Sequence, residues 1–222
     1  MAKFPADGDG TVTGFAPAKT APVKADRVLI ADSEAASAYD GALVSLGNLI
    51  PLGWRDIIGN VIPKNSGGNT PAFTQIQGNF WAYKFVQNDK AWFIFHVPHD
   101  IASDDVYFHV HWLTDGTAAD TVTWDYEVSH AKGYDQEAFD FTTLPGSHSG
   151  TLSEATSGTA YQHMITESAV INLPTLTEPD GLIMVYLQRT DANFADSVFL
   201  LTADIHYLSD SASTAERNYP FT

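Results

Sequence analysis

Cysteine is absent from the 222 residues of this chain, which removes disulfides, thiol nucleophiles and cysteine-ligated zinc together. Basic residues are scarce: 11 Lys plus Arg against 27 Asp plus Glu leave a formal charge of −16 at pH 7. Non-specific nucleic-acid binding needs clustered Lys and Arg, so this balance argues against it. No apolar run approaches the ~18 residues of a membrane span, and the stretch from Met1 to Gly8 carries one Lys and no apolar export core. The expectation is a soluble chain, compatible with synthesis in a reducing compartment, with neither nucleic acid nor membrane as a partner. Also missing are a fixed-period repeat, a Gly-x-x-x-x-Gly-Lys phosphate loop, His-Glu-x-x-His, and a Gly-x-Gly-x-x-Gly between strand and helix.

What is present describes a packed protein. Only 17% of residues are charged, whereas 44% are hydrophobic and 12% aromatic, so the negative charge is an imbalance of sign rather than the ionic excess of a disordered chain. Residues 1–48 differ from the rest, being rich in Ala, Pro, Thr, Asp and Gly with only Phe4, Phe15 and Tyr39 as aromatics. So few large apolar side chains cannot offset the ordering entropy of the segment, which predicts an extended N-terminal arm. Within it Ala25–Ala31 suits a short strand, and Ser33 is an N-cap before a helical turn reaching Tyr39.

From residue 49 to 208 short apolar or alternating runs separated by turn residues predict one all-β domain, a jelly-roll-like antiparallel sandwich, followed by a C-terminal tail over 209–222. Phe80–Val86 and Ala91–Val97 flank Asn88-Asp89-Lys90 and read as a hairpin, the second run apolar on both faces and therefore central. Val106–Trp112 alternates, with Val106, Phe108, Val110 and Trp112 on one face and Tyr107, His109 and His111 on the other. Thr121–Val128 alternates likewise, turning Val122, Trp124, Tyr126 and Val128 inward and Asp125 and Glu127 outward. Further strands are expected over Tyr161–Ile171, Gly181–Leu187 and Val198–Tyr207, and a long loop over Lys132–Gly158.

Chemistry is sparser. His109-Val110-His111 places two imidazoles on one side of a strand, where they can share a metal ion. Asp115 follows, His96 and His99 end the preceding strand, and Asp204-Ile205-His206 repeats the spacing. The pattern is similar to the first half of the cupin metal motif, but the expected preceding Gly is missing from Ile101–Tyr107 and a second motif with its own His is absent. The simpler reading, adopted here, is a structural pair hydrogen-bonded to Asp204, Tyr107 or backbone, with no metal and no cofactor. Gly146-Ser147-His148-Ser149-Gly150 only approximates a nucleophile elbow, since its centre is a His in a loop, and Asn65–Pro71 is a glycine-rich loop without a following helix. Asp125 with Glu127 would suit acid–base work on a sugar, yet a solvated sheet face produces the same letters. No catalytic residues are assigned.

Several strings, in order, resemble a family of tailed-bacteriophage virion structural proteins. They are Trp54–Gly59, Asn69–Phe73, His96-Val97-Pro98-His99-Asp100, Tyr107–Trp112, Gly158–Ile165 and Asp204–Tyr207, covering about residues 50 to 208. The resemblance implies a jelly-roll capsid cement or decoration protein on the virion surface, a non-enzyme made in the host cytoplasm. It implies a homotrimer whose partners are the major capsid protein and neighbouring copies of itself. Some members are described as head- or tail-fibre proteins, so adhesion to host glycans is the alternative function, and a cupin-like metal-dependent enzyme the second.

Overall fold

The computed structural model describes residues 52–65, 67–98, 100–133, 137–141, 148–174, 176, 181–192 and 194–210, and the strands Arg27–Ala31 and Gly41–Ser45. The chain divides into two compact units, Met1–Ile50 and Pro51–Thr222. In the first, β1 (Arg27–Ala31) pairs antiparallel with β2 (Gly41–Ser45), Leu29 opposite Leu43. The expected helical turn at Ser33–Tyr39 and the tail beyond Asp210 lie outside the described residues.

The second unit is all-β. Its strands are β3 (Gly53–Gly59), β4 (Ile62–Pro63), β5 (Ala72–Gln77), β6 (Phe80–Phe85), β7 (Lys90–His96), β8 (Ile101–Thr114), β9 (Thr121–Ala131), β10 (Ser149–Ala155), β11 (Met164–Glu167), β12 (Ile171–Asn172), β13 (Leu182–Arg189) and β14 (Val198–Ser209). One sheet runs β10-β9-β13-β7-β4; the other runs β11-β8-β14-β6-β5, with β12 also on β8 and β3 also on β14. Every pairing is antiparallel, which gives the expected sandwich. No helix among the described residues is long and apolar enough to cross a membrane.

The inward face of each long strand forms the core. Phe108 packs edge-on to Phe93 at 5.9 Å and tilted to Tyr126 at 5.9 Å, so rings from both sheets interlock. Phe85 meets Trp124 at 5.4 Å in the same way. Burial in β9 alternates as expected, with Val122, Trp124, Tyr126 and Val128 buried. Strand β8 departs from alternation at His109, predicted outward but buried as well, and again at Leu113, buried between Trp112 and Thr114.

Several expectations need correction. Strands β6 and β7 form no hairpin, because they belong to different sheets. Their connection is an arch: Asp89 is buried and its Oδ2 accepts the Val86 N–H at 2.8 Å, while Asn88, at φ 69°, donates its N–H to Arg189 of β13. Strand β7 lies beside the terminal β4, and Ile94 on its outer face is 45% exposed. The single strand expected over Tyr161–Ile171 is two strands, split where Ser168 turns to β8, its N–H donating to Phe108 O and its Oγ accepting the Phe108 N–H. Within the long loop expected over Lys132–Gly158 stands β10, paired with β9 from Ser149 to Ala155.

Strand β3 leaves its sheet at Gly59 for β4 in the other. A Cβ at Gly59 would sit 2.5 Å from Phe95 Cε1, inside a ring held by the core, so only glycine permits this approach.

Candidate functional site

Among the described residues, the outer face of the β11-β8-β14-β3 region brings together the histidines and carboxylates that could share a ligand. Register puts it there: Asp204 lies opposite His109, His206 opposite Tyr107, Glu167 opposite His109 from the other side, and Asp56 opposite His206. Side chains at paired positions share a face, so four strands deliver histidines and carboxylates to one patch.

Contacts are direct. His109 Nε2–H donates to Glu167 Oε2 at 2.7 Å, and its Nδ1 lies 3.2 Å from Asp204 Oδ1. His111 Nε2–H donates to the other Asp204 oxygen, Oδ2, and His111 Nδ1 shares a hydrogen bond with His163 Nε2 at 2.9 Å. His206 Nε2 pairs with Asp56 Oδ1, and the His206 ring stands edge-on to His109 at 4.4 Å. Asp204 Oδ1 and His206 Nδ1 are buried atoms that accept or donate no well-aligned hydrogen bond.

Electrostatics follow from this packing. Burial alone would raise the Asp204 carboxyl, but the hydrogen bonds and positive charge of His109 and His111 outweigh it and hold the group at about 2. Burial opposes a proton on His109, yet its hydrogen bonds to the Asp204 and Glu167 carboxylates, with their negative charge, win and raise it. His163 is lowered, by burial first and then by the charge of His111. Two overlapping sets of three ligand atoms lie within 4.8 Å of one another, His109 with His111 and Asp204, and His109 with Glu167 and His206.

Other sequence candidates are elsewhere. His96 ends β7 in the opposite sheet, and His99 lies outside the described residues. Asp115 holds a turn, its Oδ1 accepting the Ser197 N–H at 2.7 Å. Asp125 accepts from Thr151 Oγ1 at 2.8 Å, and with Glu127 it belongs to β9 in the sheet opposite the histidine face. His148 faces His130 rather than a nucleophile, and burial with that neighbour's charge lowers it. Glu167, His163 and Asp56 were missed. The alternation His163, Ile165, Glu167 would have put two of them on one face, but only register brings that face to His109.

A second surface feature lies at the β5–β6 end of the same sheet. Phe73 stacks on Trp81 at 6.0 Å and tilts onto Tyr83 at 5.1 Å. Phe73, Phe80 and Trp81 are 60%, 76% and 52% exposed. A shallow cavity of about 290 Å³ is lined by Asn60, Val61, Phe73, Trp81, Ala82, Tyr83, Leu200 and Leu201. No histidine lines it.

No protein-family model matches the chain, and no curated protein matches it. Among solved structures it is similar to the CBM36-1 domain of a multidomain xylanase from the hindgut metagenome of Trinervitermes trinervoides, at 11% identity and TM-score 0.40 over 72% of this chain and 99% of that one. It is similar to the xylan-binding module CBM15 at 12% identity and TM-score 0.34, over 72% and 93% of the two chains. The Eiger TNF structure from S. frugiperda aligns at 13% identity and TM-score 0.30, over 76% and 97%. At these values the likeness is one of outline and assigns no ligand.

Proposed function

We propose that the protein is a non-catalytic structural component of a tailed-bacteriophage virion, a capsid decoration protein that bridges capsid subunits as a homotrimer. The observation that carries the reading is the aromatic edge. Soluble monomers rarely leave large aromatic side chains stacked in the open, and Phe73 and Trp81 on β5 and β6 do so, with Tyr83 against Phe73. Such an edge suits docking on a neighbouring subunit, where repeated weak contacts add through multivalency.

The strings behind the family resemblance support it further. Dispersed over the sequence, Trp54–Gly59, Tyr107–Trp112 and Asp204–Tyr207 lie along β3, β8 and β14 of one sheet, and Gly158–Ile165 leads into β11 of the same sheet. Asp100, from the string His96–Asp100, joins them: Arg55 Nη1 at 2.9 Å, Tyr207 OH at 3.0 Å and Ser209 Oγ at 2.7 Å all donate to its carboxylate. They build a rigid framework rather than a reaction centre. Residues 1–48 would extend the contact along the capsid, and the charge of −16 would keep free copies soluble and apart.

The test is particle stability with and without the chain. Virions lacking it should rupture at lower temperature, and virions equally robust without it would contradict the reading. A chain deleted for residues 2–48 should occupy the head less; undiminished occupancy removes the arm's role. Adhesion to a glycan is the second reading, favoured by one observation: the Phe73–Trp81 stack beside Asn60 offers flat rings and a polar group of the kind a sugar ring packs on. A glycan array on the parent and on Trp81→Ala separates the two.

A further inference from the structure

We propose that His109, His111 and Asp204 form a binding site for one divalent transition-metal ion of the zinc class, linking β8 to β14. Their ligand atoms lie within 4.8 Å of one another, and all three come from strands in direct register, His109 opposite Asp204. Two imidazoles and one carboxylate suit zinc, cobalt or nickel; calcium and magnesium prefer oxygen alone, and thiolate selection is excluded in a chain without cysteine.

Two features distinguish this arrangement from an ordinary hydrogen-bonded cluster. The first is Asp204 itself: the residue is 5% exposed, and its Oδ1 is buried without a well-aligned donor. That oxygen lies 3.2 Å from His109 Nδ1, and a buried carboxylate oxygen short of a full set of donors is the kind of atom a metal ion coordinates. The second is the outer ring of partners. With Nδ1 of His109 and Nε2 of His111 turned to the metal, each ring keeps its other nitrogen bonded, His109 Nε2–H to Glu167 at 2.7 Å and His111 Nδ1–H to His163 at 2.9 Å. Such outer bonds fix tautomer and ring orientation in metal sites. The overlapping set of His109, Glu167 and His206 is the weaker choice, since Asp56 already holds His206 Nε2 and Glu167 is the more exposed carboxylate. Three protein ligands leave a fourth position for water or for a group from a neighbouring molecule.

The experiment uses the full chain purified without a polyhistidine tag and stripped with a chelator. Cobalt(II) is titrated in, its visible ligand-field bands are followed, zinc is used to displace it, and retained zinc per chain is measured by mass spectrometry after gel filtration. One tetrahedral cobalt per chain, displaced by zinc, with a higher melting temperature in zinc, is the expected result. His111→Ala should weaken binding by at least about 100-fold and Glu167→Gln by about 10- to 100-fold, while His96→Ala, in the opposite sheet, should leave it unchanged. If Asp204→Asn fails to fold, His111→Ala at the more accessible ligand carries the test. A parent that retains no stoichiometric metal, binding that survives His111→Ala, or binding lost in a folded His96→Ala overturns the assignment.

Discussion

Removing Asp191 should be among the most destabilising single changes in the domain. Its carboxylate, with a side chain 9% exposed, faces the Arg189 guanidinium, whose side chain is 5% exposed. Arg189 Nη2 donates to Asp191 Oδ2 at 2.6 Å, Nε donates to Oδ1 at 3.1 Å, and Nη1 donates to Phe85 O at 2.6 Å. Asp191 Oδ1 also accepts the Thr123 N–H at 2.9 Å. The pair thus ties β13 to β6 in one sheet and β9 in the other. In Asp191→Ala a buried guanidinium loses the carboxylate it is hydrogen-bonded to and the Thr123 N–H loses its acceptor. Breaking a buried ion pair from one side costs about 3–5 kcal/mol, and the orphaned N–H, about 1–3 kcal/mol alone, overlaps with that figure rather than adding to it. Against a usual domain stability of about 5–15 kcal/mol, this is a fifth or more.

Urea unfolding followed by tryptophan fluorescence measures the loss, Trp124 lying in register with Arg189. The double variant Arg189→Met/Asp191→Ala should regain much of it, because the cost lies in the unpaired charge rather than in the missing attraction. Exposure sets the scale: Arg55, with its side chain 38% exposed beside Asp100, should cost about 0–1 kcal/mol on change to Ala. An Asp191→Ala protein within about 1 kcal/mol of the parent at an unchanged denaturant slope would refute the reasoning.

Three further outcomes follow from the packing. Phe108→Ala should cost about 3–5 kcal/mol in the same urea assay, because it opens a void where rings of both sheets meet. Gly59→Ala should cost about 1–3 kcal/mol by forcing the Phe95 ring aside, and thermal melting should show it. Tyr207 is pushed up to about 12 by burial and by its bond to the Asp100 carboxylate, so the fold holds the phenol proton more tightly than the unfolded chain does. Its contribution is complete below pH ~10, the ordinary tyrosine value, and is lost as pH rises towards 12; Tyr207→Phe should abolish that alkaline loss in stability curves taken across the range.

Long strands were legible because burial on one face writes a period of two into the sequence. Val122, Trp124, Tyr126 and Val128 reported their own direction, as did Phe108 and Trp112. Partnership was not legible. Phe80–Phe85 and Lys90–His96 look like a hairpin locally, yet the buried Asp89 and its tie to Arg189 turn the connection into an arch between sheets. Strand β10 escaped notice because an edge strand in a Gly, Ser and Thr-rich stretch buries a single large side chain, Leu152. At the polar site, alternation exposed His109, His111 and Asp204 as a pattern. That Glu167 and His163 complete the surroundings depends on β11 pairing with β8, a long-range choice that no local period records.

The proposed role for this sandwich is that of a bridging part of a virion head. Cryo-electron microscopy of the particle encoded with the chain tests it most directly. The account predicts density for the sandwich at repeated capsid positions in groups of three, with the Phe73–Trp81 edge against a neighbouring subunit. A head carrying no such density, with the chain absent from the particle or confined to tail fibres, would contradict it.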